Sequence, residues 1–226
     1  MATPKLKHLA LAVALTAAAG TASAELTVFD FFPAAALTVD ALGVDGAGSG
    51  QLQADVANGS TVLAAYLYAS SVWAGPVSNV TFNGTLLTTA MGTILTPNVN
   101  PATTVRWDVT SLVKPTIDGG AGGIYNFNLS ESGDNDGSVL VVVYSNASTA
   151  NGSAVILDGE LATTGDTTTL NFASAYSGGD FIMSLASSFS YNGPPANGQV
   201  TTVDVQTSSN PASRRLGVGV VVGRQV

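Results

Sequence analysis

The stretch Glu131–Tyr144 reads Glu-Ser-Gly-Asp-Asn-Asp-Gly-Ser-Val-Leu-Val-Val-Val-Tyr and combines two patterns. Its first half, Glu131 to Gly137, is polar and holds three carboxylates and two glycines. Its second half, Ser138 to Tyr144, contains four valines and a leucine. A short β-branched run bounded by turn residues is typical of a strand buried on both faces. We therefore predict a central β-strand that begins beside an acidic loop.

Short strand-like segments recur along the chain after residue 25. They are rich in Val, Ile and Thr and are separated by Gly, Asn and Asp turns. Thr61–Ser70 predicts a second core strand and Asn83-Gly84 a hairpin turn. Helical periodicity is not sustained anywhere in the mature chain, and only Val109–Val113 suggests a helical turn, ending before Pro115. We predict an all-β fold, a single two-sheet antiparallel β-sandwich of jelly-roll type spanning residues 25–226.

The first 24 residues have the organisation of a secretory signal peptide. Lys5 and Lys7 precede the apolar run Leu9–Ala19, and Ala22-Ser23-Ala24 forms a small-residue cleavage site. The apolar run is too short to span a bilayer stably. We expect cleavage near Ala24, export of the mature chain and no stable membrane span within it.

Removal of the signal peptide leaves a strongly acidic protein. The mature chain keeps five basic residues against fifteen acidic ones, which gives a net charge of −10. An acidic surface repels phosphate backbones and anionic membranes. Nucleic acid is therefore not an expected partner.

The mature chain has neither histidine nor cysteine, because the one histidine, His8, lies in the signal peptide. This composition excludes Ser-His-Asp and Cys-His catalysis and His/Cys metal sites. Carboxylate chemistry remains open, since Asp158, Glu160 and Asp166 flank one predicted turn and carboxyl pairs about 5–10 Å apart can hydrolyse glycosides. We expect a non-enzymatic protein, with a glycan hydrolase as the minor alternative.

The acidic loop is the densest cluster of candidate metal ligands: Glu131, Asp134, Asn135 and Asp136. Calcium takes about six to eight oxygen ligands from carboxylates, amides and backbone carbonyls. Asp134-Asn-Asp-Gly137 partly matches the start of an EF-hand loop but lacks its later ligands. The competing interpretation is a solvated turn whose Asp and Asn side chains bind their own backbone. Calcium is thus a candidate cofactor and the turn remains the alternative.

Loop aromatics form a second candidate site. Trp73 and Tyr191 lie near predicted loops, where they could form a platform that stacks on sugar rings. Trp107, Tyr66 and Tyr68 lie on predicted strands, and we expect them in the core.

An ordered set of motifs resembles a group of exported β-rich proteins from Gram-negative bacteria that often carry PEP-CTERM sorting tails. The motifs lie between Leu37 and Phe172 and comprise Ser60-Thr-Val-Leu-Ala-Ala-Tyr-Leu-Tyr-Ala69, Val80-Thr-Phe-Asn-Gly84, Trp107-Asp-Val-Thr110, Asp136-Gly-Ser-Val-Leu-Val-Val-Val-Tyr144, Ile156-Leu-Asp-Gly159 and Thr164-Gly-Asp166. The resemblance implies a surface or biofilm-matrix component and supplies no catalytic residues. The family's Pro-Glu-Pro tail has no counterpart after Asn210, so we expect a released protein or a shortened chain.

Together the residues and the resemblance predict a secreted, non-enzymatic β-sandwich at the bacterial cell surface or in the extracellular matrix, with an adhesive or structural role. Its expected partners are extracellular polysaccharide or further copies of itself, paired through exposed strand edges. The alternative is a calcium-dependent carbohydrate-binding module that uses the acidic loop and the loop aromatics.

Overall fold

A computed structural model describes residues 26–43, 47–71, 75–95, 103–159, 182–188 and 221–224, and it confirms the all-β, sandwich-like prediction. One α-helix accompanies the strands in this part of the chain, α1 (Thr110–Ile117). The strands are β1 (Leu26–Pro33), β2 (Ala36–Gly43), β3 (Gly48–Val56), β4 (Thr61–Ser71), β5 (Val80–Phe82), β6 (Thr85–Leu87), β7 (Thr93–Ile94), β8 (Thr104–Asp108), β9 (Gly123–Glu131), β10 (Asn135–Ser145), β11 (Ser153–Gly159), β12 (Leu185–Ser188) and β13 (Val221–Arg224).

The described strands form three sheets where the sequence led us to expect two. A middle sheet has the order β2-β10-β4-β8-β7, a first outer sheet β3-β9-β5-β6 and a second outer sheet β1-β11-β13-β12. Most of the strand pairings in the described residues are antiparallel, while β13 pairs parallel with β11 and with β12. The extra sheet has a direct physical cause. A middle strand that is apolar on both faces needs a covering layer on each side.

Strand β10 occupies the position predicted for it. It lies between β2 and β4 and pairs antiparallel with both. Its four central residues, Leu140 to Val143, are all 0% exposed. Leu140 and Val142 join the apolar cluster against the first outer sheet, and Val141 and Val143 join the cluster against the second.

The larger cluster lies between the middle sheet and the first outer sheet. Trp107, Phe82 and Phe127 are its bulkiest members, and the two phenylalanine rings stack at 5.7 Å. Helix α1 adds Val113 and Ile117 to it. The helix contains Pro115 instead of ending before it, because the burial of Ile117 beyond the proline favours another turn.

The predicted acidic loop is shorter than the sequence indicated. Strand β9 continues to Glu131 and β10 begins at Asn135, so only residues 132–134 connect them. The register of β10 against β4 shifts between Asn135 and Gly137, which marks a bulge. Gly137 has a φ of 139°, and a Cβ there would lie 2.5 Å from the Leu42 carbonyl oxygen.

We expect Leu140→Ala to destabilise the protein by roughly 2–5 kcal/mol, because it leaves a cavity in a strand that is packed on both sides. Urea unfolding measures this change. The matched control is Leu86→Ala on β6, where the side chain is 54% exposed and we expect a change within about 0.5 kcal/mol. Equal effects at the two positions would contradict the central role of β10.

Candidate functional site

The structure divides the four predicted calcium ligands between the interior and the surface. Glu131 and Asn135 are buried, Asp134 is exposed and Asp136 is half-buried. Asn135 Oδ1 accepts the backbone N–H of Ser78 at 2.8 Å, and Asn135 Nδ2 donates to the Ser78 carbonyl at 3.4 Å. The amide of Asn135 therefore fastens the segment before β5 to the start of β10.

Glu131 carries an unusual buried carboxyl group. Its Oε1 accepts a hydrogen bond from Ser138 Oγ, while its buried Oε2 has no hydrogen-bond partner in the described structure. Burial raises the pKa of this carboxyl, the Ser138 hydrogen bond opposes that rise and the charge of Asp136 adds to it. A raised pKa favours the neutral acid, which is a weaker calcium ligand than the carboxylate.

Across the described residues, His, Cys, Asp and Glu side chains form no group of three or more that could hold a metal ion. The calcium site stays a prediction. Of the side chains predicted for it, Asp134 and Asp136 are the ones that reach solvent.

A second polar cluster, the inter-sheet network, joins the middle sheet to the second outer sheet. Asp158 of β11 forms an ion pair with Arg106 of β8 and accepts a hydrogen bond from the Tyr68 hydroxyl at 3.0 Å. Tyr68 is 1% exposed and Asp158 is 6% exposed. Burial and the neighbouring Asp158 charge raise the pKa of Tyr68, so its hydroxyl remains a donor.

A bulge in β1 completes the inter-sheet network. The register against β11 shifts between Val28 and Asp30, which leaves Phe29 as the extra residue. The Arg106 guanidinium lies 3.3 Å from the centroid of the Phe29 ring, and the Phe29 and Tyr66 rings meet edge to face at 5.0 Å. Asp30 Oδ2 accepts the Tyr66 hydroxyl at 3.0 Å. The bulge thus directs the side chains of both Phe29 and Asp30 toward the middle sheet.

The inter-sheet network accounts for several expectations from the sequence. Tyr66, Tyr68 and Trp107 are core residues, as predicted. Arg106 pairs with a protein carboxylate, and Asp158 is held by a cation and a phenol. Glu160 and Asp166 lie outside the described residues, as do the predicted signal peptide and both members of the predicted aromatic platform, Trp73 and Tyr191.

A small groove lies beside the end of β10. Tyr68, Ser70, Asp136 and Ala186 are among its lining residues, and its volume is about 80 Å³. Pockets for small ligands usually measure about 300–1,000 Å³. This groove admits a few water molecules and is too small for a sugar ring.

The exposed surface of the first outer sheet carries a regular array that sequence reasoning did not identify. Gln51 and Gln53 of β3 lie opposite Asn128 and Asn126 of β9. The Gln51 and Gln53 side-chain amides donate to the Asn128 and Asn126 Oδ1 atoms at 3.1 and 2.9 Å, respectively. We call these four residues the amide face. In the sequence, amide residues alternate with apolar residues in both segments, and this pattern could have indicated the amide face. The sequence does not show how β3 and β9 are aligned, so it could not predict which amides would pair.

Two serine hydroxyls extend the amide face toward the start of β3, where Ser49 lies opposite Ser130. At the other end, Asp55 lies opposite Ile124. All of these residues are exposed, while the alternate positions Leu52, Phe127 and Leu129 point into the core. The sheet thus presents a neutral polar surface with one carboxylate at its end.

Comparisons with known proteins found no matching family model, curated protein or solved structure. In the described part of the chain, none of the helices has the length and apolar character needed to cross a membrane.

We expect Glu131→Gln to stabilise the protein at neutral pH by about 1 kcal/mol, because it removes a buried charge that has one unsatisfied oxygen. The pKa of Glu131 is raised in the folded state above its ordinary value of 4.5. As pH increases through 4.5, the unfolded chain loses this proton first, and the wild type loses stability until the folded pKa is passed. The advantage of the Gln variant should grow across that window.

Urea unfolding at a series of pH values measures this difference. Asp134→Asn is the matched control, since it removes the same charge from an exposed position and should change stability by no more than about 0.5 kcal/mol. A Glu131→Gln variant less stable than wild type at pH 7 would contradict the destabilising effect assigned to the buried Glu131 charge.

We expect Asp158→Asn to cost about 3 kcal/mol, because it leaves the Arg106 guanidinium between two sheets without its carboxylate. The double variant Arg106→Met/Asp158→Asn should be less destabilised than Asp158→Asn alone. A double-mutant cycle measured by chemical denaturation tests this coupling. Strictly additive losses would mean that the two side chains act independently.

Proposed function

We propose that this protein is a secreted, non-enzymatic component of the bacterial cell surface or extracellular matrix, with an adhesive or structural role. The observation that carries the proposal is the separation of its polar groups. Asp158, Arg106, Tyr66 and Tyr68 hold sheets together, while the amide face on the exposed surface of the first outer sheet is neutral. This separation of structural ionisable groups from a neutral polar surface suits a protein that binds a partner without reacting with it.

The state of Asp158 supports a non-enzymatic role. A general acid needs a proton to give, and a general base or nucleophile needs access to substrate. Asp158 is 6% exposed and is bound by both Arg106 and Tyr68. Both contacts are made to Asp158 Oδ2, and burial between two sheets limits the access of a substrate to the carboxyl group.

Contact through a sheet face fits the structure better than strand addition at the edge of β3. The Gln53 N–H on β3 donates to Asp40 Oδ2 at 2.8 Å, and the Asp55 N–H donates to Thr38 Oγ1 at 3.3 Å. Side chains of β2 therefore occupy backbone donors that a docking strand would need. At the opposite edges, β6 and β7 are only three and two residues long.

Fractionation of producing cells tests the proposed location and role. We expect an antibody against the mature chain to detect it in the culture medium, the outer surface or the matrix fraction. The mature protein should release no reducing sugar from polysaccharides, and Asp158→Asn should not change that result. Retention in the cytoplasm, or sugar release that Asp158→Asn abolishes, would overturn the proposal.

One observation favours the alternative of a calcium-dependent carbohydrate-binding module. A buried carboxylate oxygen without a partner, such as Glu131 Oε2, is a position that a bound cation could satisfy. The geometry gives less support to a cation at this position, because Asn135 is engaged by Ser78 and burial raises the pKa of Glu131, which disfavours the charged form that binds calcium.

Thermal unfolding with calcium and with excess chelator separates these two possibilities. About 5 mM calcium, which is about 1,000-fold above a micromolar dissociation constant, would add roughly 4 kcal/mol. For a domain of about 200 residues this corresponds to a Tm increase of about 8–16 °C. We expect the two unfolding curves to coincide. A shift of that size, lost in Glu131→Gln, would establish the calcium-dependent alternative.

A further inference from the structure

The amide face is ordered before any ligand arrives. Free Gln side chains lose much rotamer freedom when they are fixed in a complex. Gln51 and Gln53 are already tied to Asn128 and Asn126 by cross-strand hydrogen bonds of 3.1 and 2.9 Å. The strands beneath them are held by the fully buried Leu52 and Phe127. A ligand that docks here meets a rigid surface and causes little further loss of entropy.

Each amide pair retains both donors and acceptors after its internal hydrogen bond is made. A primary amide has two N–H donors and one carbonyl acceptor. In the Gln53–Asn126 pair, the cross-strand hydrogen bond uses one Gln donor and one Asn lone pair. The Asn126 Nδ2 donors and the Gln53 Oε1 acceptor remain for a partner. A hydroxyl, which donates and accepts, matches this mixed set.

The charge on the surface excludes other classes of partner. The mature chain has a net charge of −10, so polyanions are repelled. A cationic partner would seek carboxylates, and the one carboxylate along these positions is Asp55 at the end of the array. An apolar partner would find only Ile124 at one end of the array. The remaining class is a neutral polymer rich in hydroxyl groups.

We propose that the amide face binds a neutral polysaccharide that lies along β3 and β9. The exposed positions from Ser49 to Asp55 extend about 20 Å at about 3.4 Å per residue. This length suits several units of an extended polymer more than a single sugar. The inference depends on the proposed extracellular role, and it assigns a ligand class and a surface to that role.

Affinity electrophoresis of the full mature chain tests the assignment. Native gels contain one of four neutral polymers, hydroxyethyl cellulose, dextran, galactomannan or soluble starch, or the polyanion alginate. Mobility is compared with that in a gel without polymer. We expect retardation by at least one neutral polymer and none by alginate.

The informative variant is Asn126→Asp/Asn128→Asp. Each Asp keeps an oxygen that can accept the Gln hydrogen bond, so the cross-strand pairs persist, while the Nδ2 donors are lost and two charges are added. We expect binding to weaken about tenfold or more, as the loss of about one net hydrogen bond requires. The matched control, Asn58→Asp/Ser111→Asp, adds the same charge at exposed positions outside the amide face and should bind like wild type.

Three results would overturn the inference: no retardation by any of the four neutral polymers, equal retardation by alginate, or unchanged binding of Asn126→Asp/Asn128→Asp. Light scattering runs in parallel. If that variant alters molar mass but not retardation, the amide face is an interface between copies. A protein found in the matrix fraction but not retarded would contradict the ligand and leave the proposed function standing, whereas a cytoplasmic protein would contradict the proposed function itself.

Discussion

The burial of β10 on both faces is the constraint on which the rest of the architecture depends. Four consecutive residues from Leu140 to Val143 are cut off from water, so apolar surface lies above and below the same strand. Burying an aliphatic side chain contributes about 1.5–3 kcal/mol, and exposing either face of this strand would forfeit two such contributions. The middle sheet therefore requires two covering sheets, and the chain supplies one on each side.

The two layers around the middle sheet differ in chemistry. The layer against the first outer sheet is apolar, with the stacked rings of Phe82 and Phe127 at its centre. The layer against the second outer sheet includes the Arg106–Asp158 ion pair, two tyrosine hydroxyls and the Asp30 carboxylate. Buried ion pairs often add little net stability, but they penalise any arrangement that leaves one charge unpaired. The inter-sheet network therefore favours one alignment of these two sheets over its alternatives.

This use of polar side chains bears directly on function. Residues 25–226 contain neither histidine nor cysteine, and the ionisable groups Arg106 and Asp158 serve the packing of sheets. What the first outer sheet presents at its surface is an ordered amide face next to two serine hydroxyls. Such a surface can form many weak hydrogen bonds with a partner, which supports the proposed adhesive role.

The sequence by itself determined the strand content and the position of the central strand, because β-branched runs and Gly/Asn turns are local signals. It also determined that Tyr66 and Tyr68 share one face of β4 while Ala65 and Leu67 share the other, since side chains alternate along a strand. The prediction that the helical turn ends before Pro115 was wrong, because local helix propensity takes no account of the burial of Ile117.

Only the tertiary structure decided how many sheets cover β10, which partner Arg106 finds and how the amides of β3 meet those of β9. Arg106 and Asp158 are 52 residues apart, and Gln53 and Asn126 are 73 apart. Their meeting depends on strand register, where a shift of one residue would turn every side chain to the opposite face. The contacts of Phe29 with Arg106 and Tyr66 depend in addition on a bulge in β1 that no local pattern marks. Strand register and sheet stacking depend on the packing of the whole chain. The sites that they create therefore cannot be predicted from any single segment of the sequence.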